Sequence, residues 1–219
     1  MTTVDLMQSR IRLLSGELVE ALDSLWESEE VARLFPEYLI MMHQVIRASV
    51  PLMEEGLREA RKLDTSDPLG PILSGYFAEH IEEEQSHDEW TLDDLEAAGY
   101  NRAEIMSRIP APPVANLVGA QYYWLRHYHP VGLLGYIYLL EANPGDKHLY
   151  DEIEARSGLP SELFRTYRMH GELDPEHKDE LEAIINSLPL TDTQRSLICV
   201  SLIHAMSSLA DSVRHVMRS

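Results

Sequence analysis

Hydrophobic positions recur three, four and seven residues apart almost from end to end of the chain, the period of amphipathic helices. No stretch keeps the apolar–polar alternation of a strand. The period predicts one helix over 4–27 and a second, long one over 36–63. Pro51 should kink or split that second helix, because proline has no amide hydrogen and crowds the preceding turn. A polar turn, Asp64 to Gly70, leads into a helix over 70–90. Thr91 and Asp94 then read as a capping box that opens a short helix ending near Gly99. Further helices are predicted over 102–108, 114–127, 131–142, 146–157, 161–173, 175–187 and 191–217. They are broken at Ile109–Pro113, at His129-Pro130 and at the Asn143–Asp146 turn. No repeat, low-complexity tract or long linker divides the chain. The expectation is an all-α, single-domain helical bundle over residues 1–219.

Composition narrows the partners. The chain carries 37 acidic and 18 basic residues, a formal net charge of −19. Such a surface repels nucleic acid and anionic membranes, so neither is expected as a partner, and some of the acids are free to hold cations. The single cysteine, Cys199, allows no internal disulfide and no cysteine-rich zinc site, which fits a reducing cytoplasm. The first eighteen residues scatter charges among apolar positions and read as an amphipathic helix, not a signal peptide. No run approaches the ~18 consecutive apolar residues of a membrane span.

Three stretches carry donor chemistry. In Glu79–Trp90, His80, Glu84 and His87 share one face of the predicted helix, with Glu83 beside them. Glu84-Gln-Ser-His87 aims one carboxylate and one imidazole at the same point, a spacing used by carboxylate-bridged iron centres in helical bundles. Alone, this stretch reads equally well as a solvated acidic face. In Met169–Leu181, His170, Asp174 and His177 form a stripe at i, i+4 and i+7. Pro175 disfavours helical geometry at Asp174 and makes Asp-Pro-Glu a helix start, so the stripe is expected to be interrupted there unless a bound metal bridges it. Glu141 ends a strongly apolar helix, where the macrodipole disfavours an anion. It is either an exposed terminal glutamate or a metal ligand facing inward. Three carboxylates and three imidazoles nearly balance two ferrous ions, and suit iron or manganese better than structural zinc.

The run Glu83-Glu84-Gln-Ser-His87-Asp88-Glu89-Trp90, followed by Asp93-Asp94-Leu95 and Gly99, resembles the Glu-Glu-x-Gly-His-Asp-Glu-Trp pattern of heme-oxygenase-like diiron oxidases, often labelled iron-containing redox enzymes. Leu133-Leu134-Gly135-Tyr136 with Glu141 resembles their next core helix, His170-x-x-x-Asp174-x-x-His177 their last ligand triplet, and Tyr38 to Pro51 their early helix. The resemblance implies a heme-oxygenase-like fold of seven to eight main helices and a cofactor of two Fe(II) ions, with manganese as the alternative metal. It implies dioxygen as co-substrate, a small organic substrate derived from an amino acid or a fatty acid, and a homodimer. It assigns Glu84, His87, Glu141, His170, Asp174 and His177 as metal ligands and catalytic residues. His80 is a candidate to replace or supplement Glu84, because some relatives take a ligand seven residues before the histidine rather than three, and Glu83 is a further candidate. Ser86 stands where glycine is common, a departure expected to matter little. Cofactor-free oxidases of the pyrroloquinoline-quinone-forming type and non-catalytic binding proteins share the fold and remain the competing readings. Thiamin-degrading relatives use a mid-chain cysteine, whereas Cys199 lies in an apolar helix and reads as packing. Arg126, Arg165 and Arg168 are candidates to receive a substrate carboxylate, with Arg168, two residues before His170, expected to face away from it.

Overall fold

A computed structural model describes the backbone of residues 1–141 and 147–219, and the side chains of these except Lys147 and residues 171–176. Asn143–Asp146, the predicted turn, lies outside the described residues. The described chain is helical and contains no strand.

The N-terminal helix is two helices, α1 (Thr3–Leu14) and α2 (Gly16–Trp26), where the period had predicted one. Thr2 caps α1: its hydroxyl accepts from the Asp5 amide at 3.1 Å, and the Asp5 carboxylate accepts from the Thr2 amide at 2.7 Å. Ser15 ends one helix and begins the next while keeping near-helical dihedrals (φ −75°, ψ −5°), so the apolar period runs across the joint undisturbed.

The long helix α3 (Val31–Ala60) contains both Pro36 and Pro51 and is neither split nor restarted by them. Each proline removes one ladder hydrogen bond. Packing against its neighbours, three helices foremost, outweighs that loss, since helical stability in a fold comes mostly from burying the apolar face. Those three are α4 (Leu69–Glu84), α5 (His87–Ala97) and α7 (Pro112–His127). The predicted helix over 70–90 is therefore broken between Glu84 and His87. Thr91 and Asp94 lie inside α5 and form no capping box. The short α6 (Arg102–Ser107) intervenes before α7, with Asn101 accepting from the Glu104 amide as its cap.

A short 3₁₀ turn at Pro130–Gly132 leads into α8 (Leu133–Glu141), followed by α9 (Lys147–Ser157), α10 (Arg165–Ser187) and α11 (Asp192–Val216). α10 passes through Pro175 as one continuous helix, against the expected restart at Asp174, because its packing on α1, α5, α8 and α9 outweighs one missing hydrogen bond. Every residue of α8 except Leu140 is buried. Gly135 makes this possible: a Cβ there would come within 2.2 Å of the Ile198 carbonyl oxygen of α11, so only glycine allows the approach. That contact sets the depth of α8, whose last residue is Glu141. One buried apolar cluster extends from Val4 to Val216. α11 is long and apolar enough to cross a membrane by length and composition, although Arg195, His204 and Asp211 interrupt its apolar run, and 61% of its most apolar window is buried inside the fold.

Candidate metal centre

Two groups of donors meet inside the bundle and share Glu84. The first is His80, Glu84 and Glu141; the second is Glu84, His87 and His170. Within each group, one ligand atom per residue lies within 4.8 Å of the others. Four helices supply them: α4 brings His80 and Glu84, α5 brings His87, α8 brings Glu141 and α10 brings His170.

The break between α4 and α5 is what divides the Glu79–Trp90 stretch between the two groups. Gln85 is extended, and Ser86 takes left-handed geometry (φ +75°). His80 and Glu84 thus end α4, and His87 begins α5. Glu84 and His87 still meet, with Nδ1 of His87 at 3.0 Å from the Glu84 carboxylate. The left-handed turn also gives a backbone reason for glycine at position 86, since a Cβ is strained there. The departure at Ser86 is therefore not neutral.

His80 is 4% exposed and forms the tightest polar contact of the first group, Nε2 to Glu141 Oε1 at 2.5 Å. Its Nδ1 meets Glu83 at 3.1 Å. Each ring nitrogen of His80 faces a carboxylate, so without a metal both carry a proton to donate; a metal bound at Nε2 would displace that proton. Burial works against the charge of the doubly protonated ring, but the hydrogen bond and charge of Glu141, with help from Glu83 and Glu84, lift its pKa to about 9. Burial raises the pKa of Glu141, with the His80 bond opposing. For Glu84, burial is outweighed by the His87 hydrogen bond and the nearby imidazoles, which hold its carboxyl below the usual range. Tyr76 stacks on the His80 ring at 5.2 Å and 17°. His177 meets the first group from α10, with Nδ1 at 4.0 Å from Glu84 Oε1 and its ring edge-on to His80 at 5.8 Å.

In the second group the His87 and His170 rings meet edge-on at 5.1 Å, and Trp90 packs on His87 at 4.0 Å. His170 Nδ1–H donates to the Thr166 carbonyl at 3.0 Å, which leaves Nε2 with its lone pair free. Burial lowers the His170 pKa, keeping the ring neutral as a ligand requires.

Of the residues singled out in the sequence, Glu84, His87, Glu141, His170 and His177 come together here, and so does His80. Glu83 bonds the outer nitrogen of His80 and is 36% exposed on its side chain, a supporting position and not a ligating one. The Asp174 side chain lies outside the described residues, although its backbone is helical. Asp94 had drawn notice as a helix cap and within the Asp93-Asp94-Leu95 run, with no role assigned at the site, yet it is 1% exposed and bonds α10 two residues into that helix.

The donor set fits a pair of metal ions. Imidazoles and carboxylates converge on two points, and one oxygen of Glu141, Oε2, is buried with no hydrogen-bond partner among the described residues. A buried carboxylate oxygen left bare in this way needs a cation or donor. Beside the donors lies a cavity of 370 Å³. It extends from Ile11 and half-exposed Val19 of α1 and α2 to His80, Glu84, Glu141 and His170. Its remaining lining is apolar, aromatic or hydroxyl-bearing, with no lysine or arginine among the described residues. The three arginines considered as substrate anchors are committed elsewhere: Arg126 to Glu55 (2.8 Å), Arg165 to Asp94 (2.6 Å) and Arg168 to Asp151 (2.7 Å) and Glu154. Cys199 is buried, as packing requires.

The chain's residues 71–206 match a family model described as iron-containing redox enzyme. None of the curated proteins matches the chain. Among solved structures it is similar to a domain of unknown function with a heme oxygenase-like fold from Shewanella denitrificans (TM-score 0.85, 16% identity, covering 100% of this chain and 93% of that one). It is also similar to a CADD-like protein of unknown function from Nostoc punctiforme (TM-score 0.72, 13% identity, 99% and 96% covered). A TenA homolog from Pseudomonas syringae is a third (TM-score 0.66, 12% identity, 95% and 92% covered). At such identities these likenesses show the fold, which is heme oxygenase-like.

Proposed function

The chain belongs to the family of iron-containing redox enzymes, and from that premise we propose that it is a non-heme diiron oxidase acting with dioxygen on a small organic molecule that carries an apolar chain. The observation that carries this reading is the pair of donor groups sharing Glu84. Glu84 would bridge. His80, Glu141 and His177 would complete one ion, and His87 and His170 the other, with Asp174 of the same α10 stripe as a further ligand. Two ferrous ions, when bound, would supply the electrons that dioxygen reduction needs.

The protein's own residues do the rest. Thr166 and Glu83 fix which nitrogen of His170 and of His80 faces the centre. The apolar wall keeps water from the donors and orients whatever enters. Of the two substrate classes the resemblance implies, the lining favours a fatty-acid-derived one. The two charges of an amino acid would find no lysine or arginine there, and desolvating an unpaired charge is costly. A cytoplasmic homodimer remains part of this reading.

The test is oxygen uptake by the anaerobically iron-loaded protein given an air pulse, with saturated acids, alcohols and amines of graded chain length against free amino acids. Uptake stimulated by the apolar chains, and abolished in His170→Ala, is expected. Uptake that the variant leaves unchanged, or no uptake with any compound, would sink the assignment in favour of a cofactor-free enzyme or a binding protein.

A further inference from the structure

We propose that Asp94 is the positioning residue of the second donor group, acting on His170 through the first turn of α10. It is a buried carboxylate, 1% exposed, on a different helix from the ligand it serves. Its Oδ2 accepts two hydrogen bonds from one residue, the Thr166 amide at 2.8 Å and the Thr166 hydroxyl at 2.6 Å. Its Oδ1 pairs with the Arg165 guanidinium at 2.6 Å. Thr166, 2% exposed, in turn offers its carbonyl to His170 Nδ1–H at 3.0 Å. A continuous relay of hydrogen bonds therefore runs from α5 to the outer nitrogen of the imidazole.

Three further features favour positioning over simple packing. α10 has no cap of its own: Phe164 occupies that place and supplies no side-chain bond. Asp94 takes the capping role from a neighbouring helix, where its charge also suits the positive end of the α10 dipole. In addition, α5 carries His87 at its first residue and Asp94 seven residues on, two turns along the same face. The helix that presents one ligand thus also fixes the backbone beneath the other. Finally, the Thr166 carbonyl accepts only from a protonated Nδ1, so its placement selects the tautomer that leaves Nε2 for a metal. If Thr166 drifts, His170 loses both its tautomer and its aim.

The inference rests on the diiron reading only for its consequence on metal binding, and the experiment separates the two. Metal-free wild type, Asp94→Ala and Asp94→Asn are compared by long-range ¹H–¹⁵N NMR, with His170→Ala identifying the His170 signals. Cobalt(II) is then titrated anaerobically as a visible stand-in for iron. Wild type should show His170 as the Nδ1–H tautomer and bind two cobalt ions. Asp94→Ala should show mixed tautomers and bind its second ion about ten- to a hundredfold more weakly, the usual cost of losing a group that orients a ligand. Asp94→Asn keeps an acceptor for Thr166 and should recover most of both. If Asp94→Ala does not fold, the asparagine variant decides: wild-type tautomer and affinity support positioning, and equal loss of both ions points to a merely structural role and overturns it. A His170 tautomer unchanged in folded Asp94→Ala overturns it outright. Wild type that binds no cobalt would count against the diiron reading, while the tautomer comparison still decides the role of Asp94.

Discussion

The two donor groups are held by different means. In the first, the donors hold one another: His80 and Glu141 meet at 2.5 Å, Glu83 backs the imidazole and Tyr76 stacks on it. In the second, His87 bonds Glu84 at 3.0 Å, but His170 meets His87 only ring to ring and is held from behind by the Asp94–Thr166 relay, with Trp90 packed on His87. Glu84 is the one residue both use. A group whose donors pair directly keeps its geometry when no ion is bound, because each charge has a partner. A donor held from behind, as His170 is, is only as well placed as the helix that carries it. The first group should therefore resist distant mutation and the His170 side of the second should feel it.

The most severe way to break this comparison is at the shared residue. Glu84→Ala should abolish binding of both ions, with affinity falling more than a hundredfold by metal titration, whereas His80→Ala and His170→Ala should each remove one ion. Equal loss in all three variants would mean that the groups are not separable.

Gly135→Ala attacks the first group alone. The new Cβ would fall 2.2 Å from the Ile198 carbonyl oxygen, so α8 must lift from α11. Stability should drop by about 4 kcal/mol in denaturant titration, with Glu141 displaced and the second ion retained.

His43 sharpens the comparison from behind α5. It is 1% exposed, and neither ring nitrogen has a hydrogen-bond partner among the described residues. Burial first, then the charges of Arg47 and Arg102, push its pKa down to about 4, although Asp88 opposes them. The fold therefore holds it neutral, while the unfolded chain takes up a proton near pH 6.5. Its contribution is complete above that pH and is lost as pH falls towards 4, up to about 3 kcal/mol. His43→Leu should flatten the stability profile in that window, and an unchanged slope would contradict the burial argument.

The smallest effect belongs to Ser86→Gly. Relieving a left-handed serine at φ +75° should raise the unfolding free energy by about 1 kcal/mol and leave both metal affinities within twofold. A large change in affinity would mean that the turn between α4 and α5 is not already set as described.

These residues also show what the sequence could and could not convey. The helical period, read along the chain, gave the all-α class because burial on one face is what fixes a helix. Glu141 could be noticed because a carboxylate ending an apolar helix is conspicuous. The interruption at Ser86 was hidden, since serine carries no signal for a positive φ, and the period runs through it. α3 and α10 ran through their prolines because packing decided against the local rule. Asp94 was misread for a related reason. Its spacing from Thr91 imitates a capping box, and its true partner lies seventy-two residues away. Long-range capping leaves no local pattern.

The central claim is that two ions sit side by side on a shared Glu84. Iron-57 Mössbauer spectroscopy of the anaerobically loaded protein, before and after air, tests it most directly. The account predicts two ferrous ions per chain that become a magnetically coupled ferric pair on oxidation. A single iron per chain, or two that stay uncoupled, would contradict it.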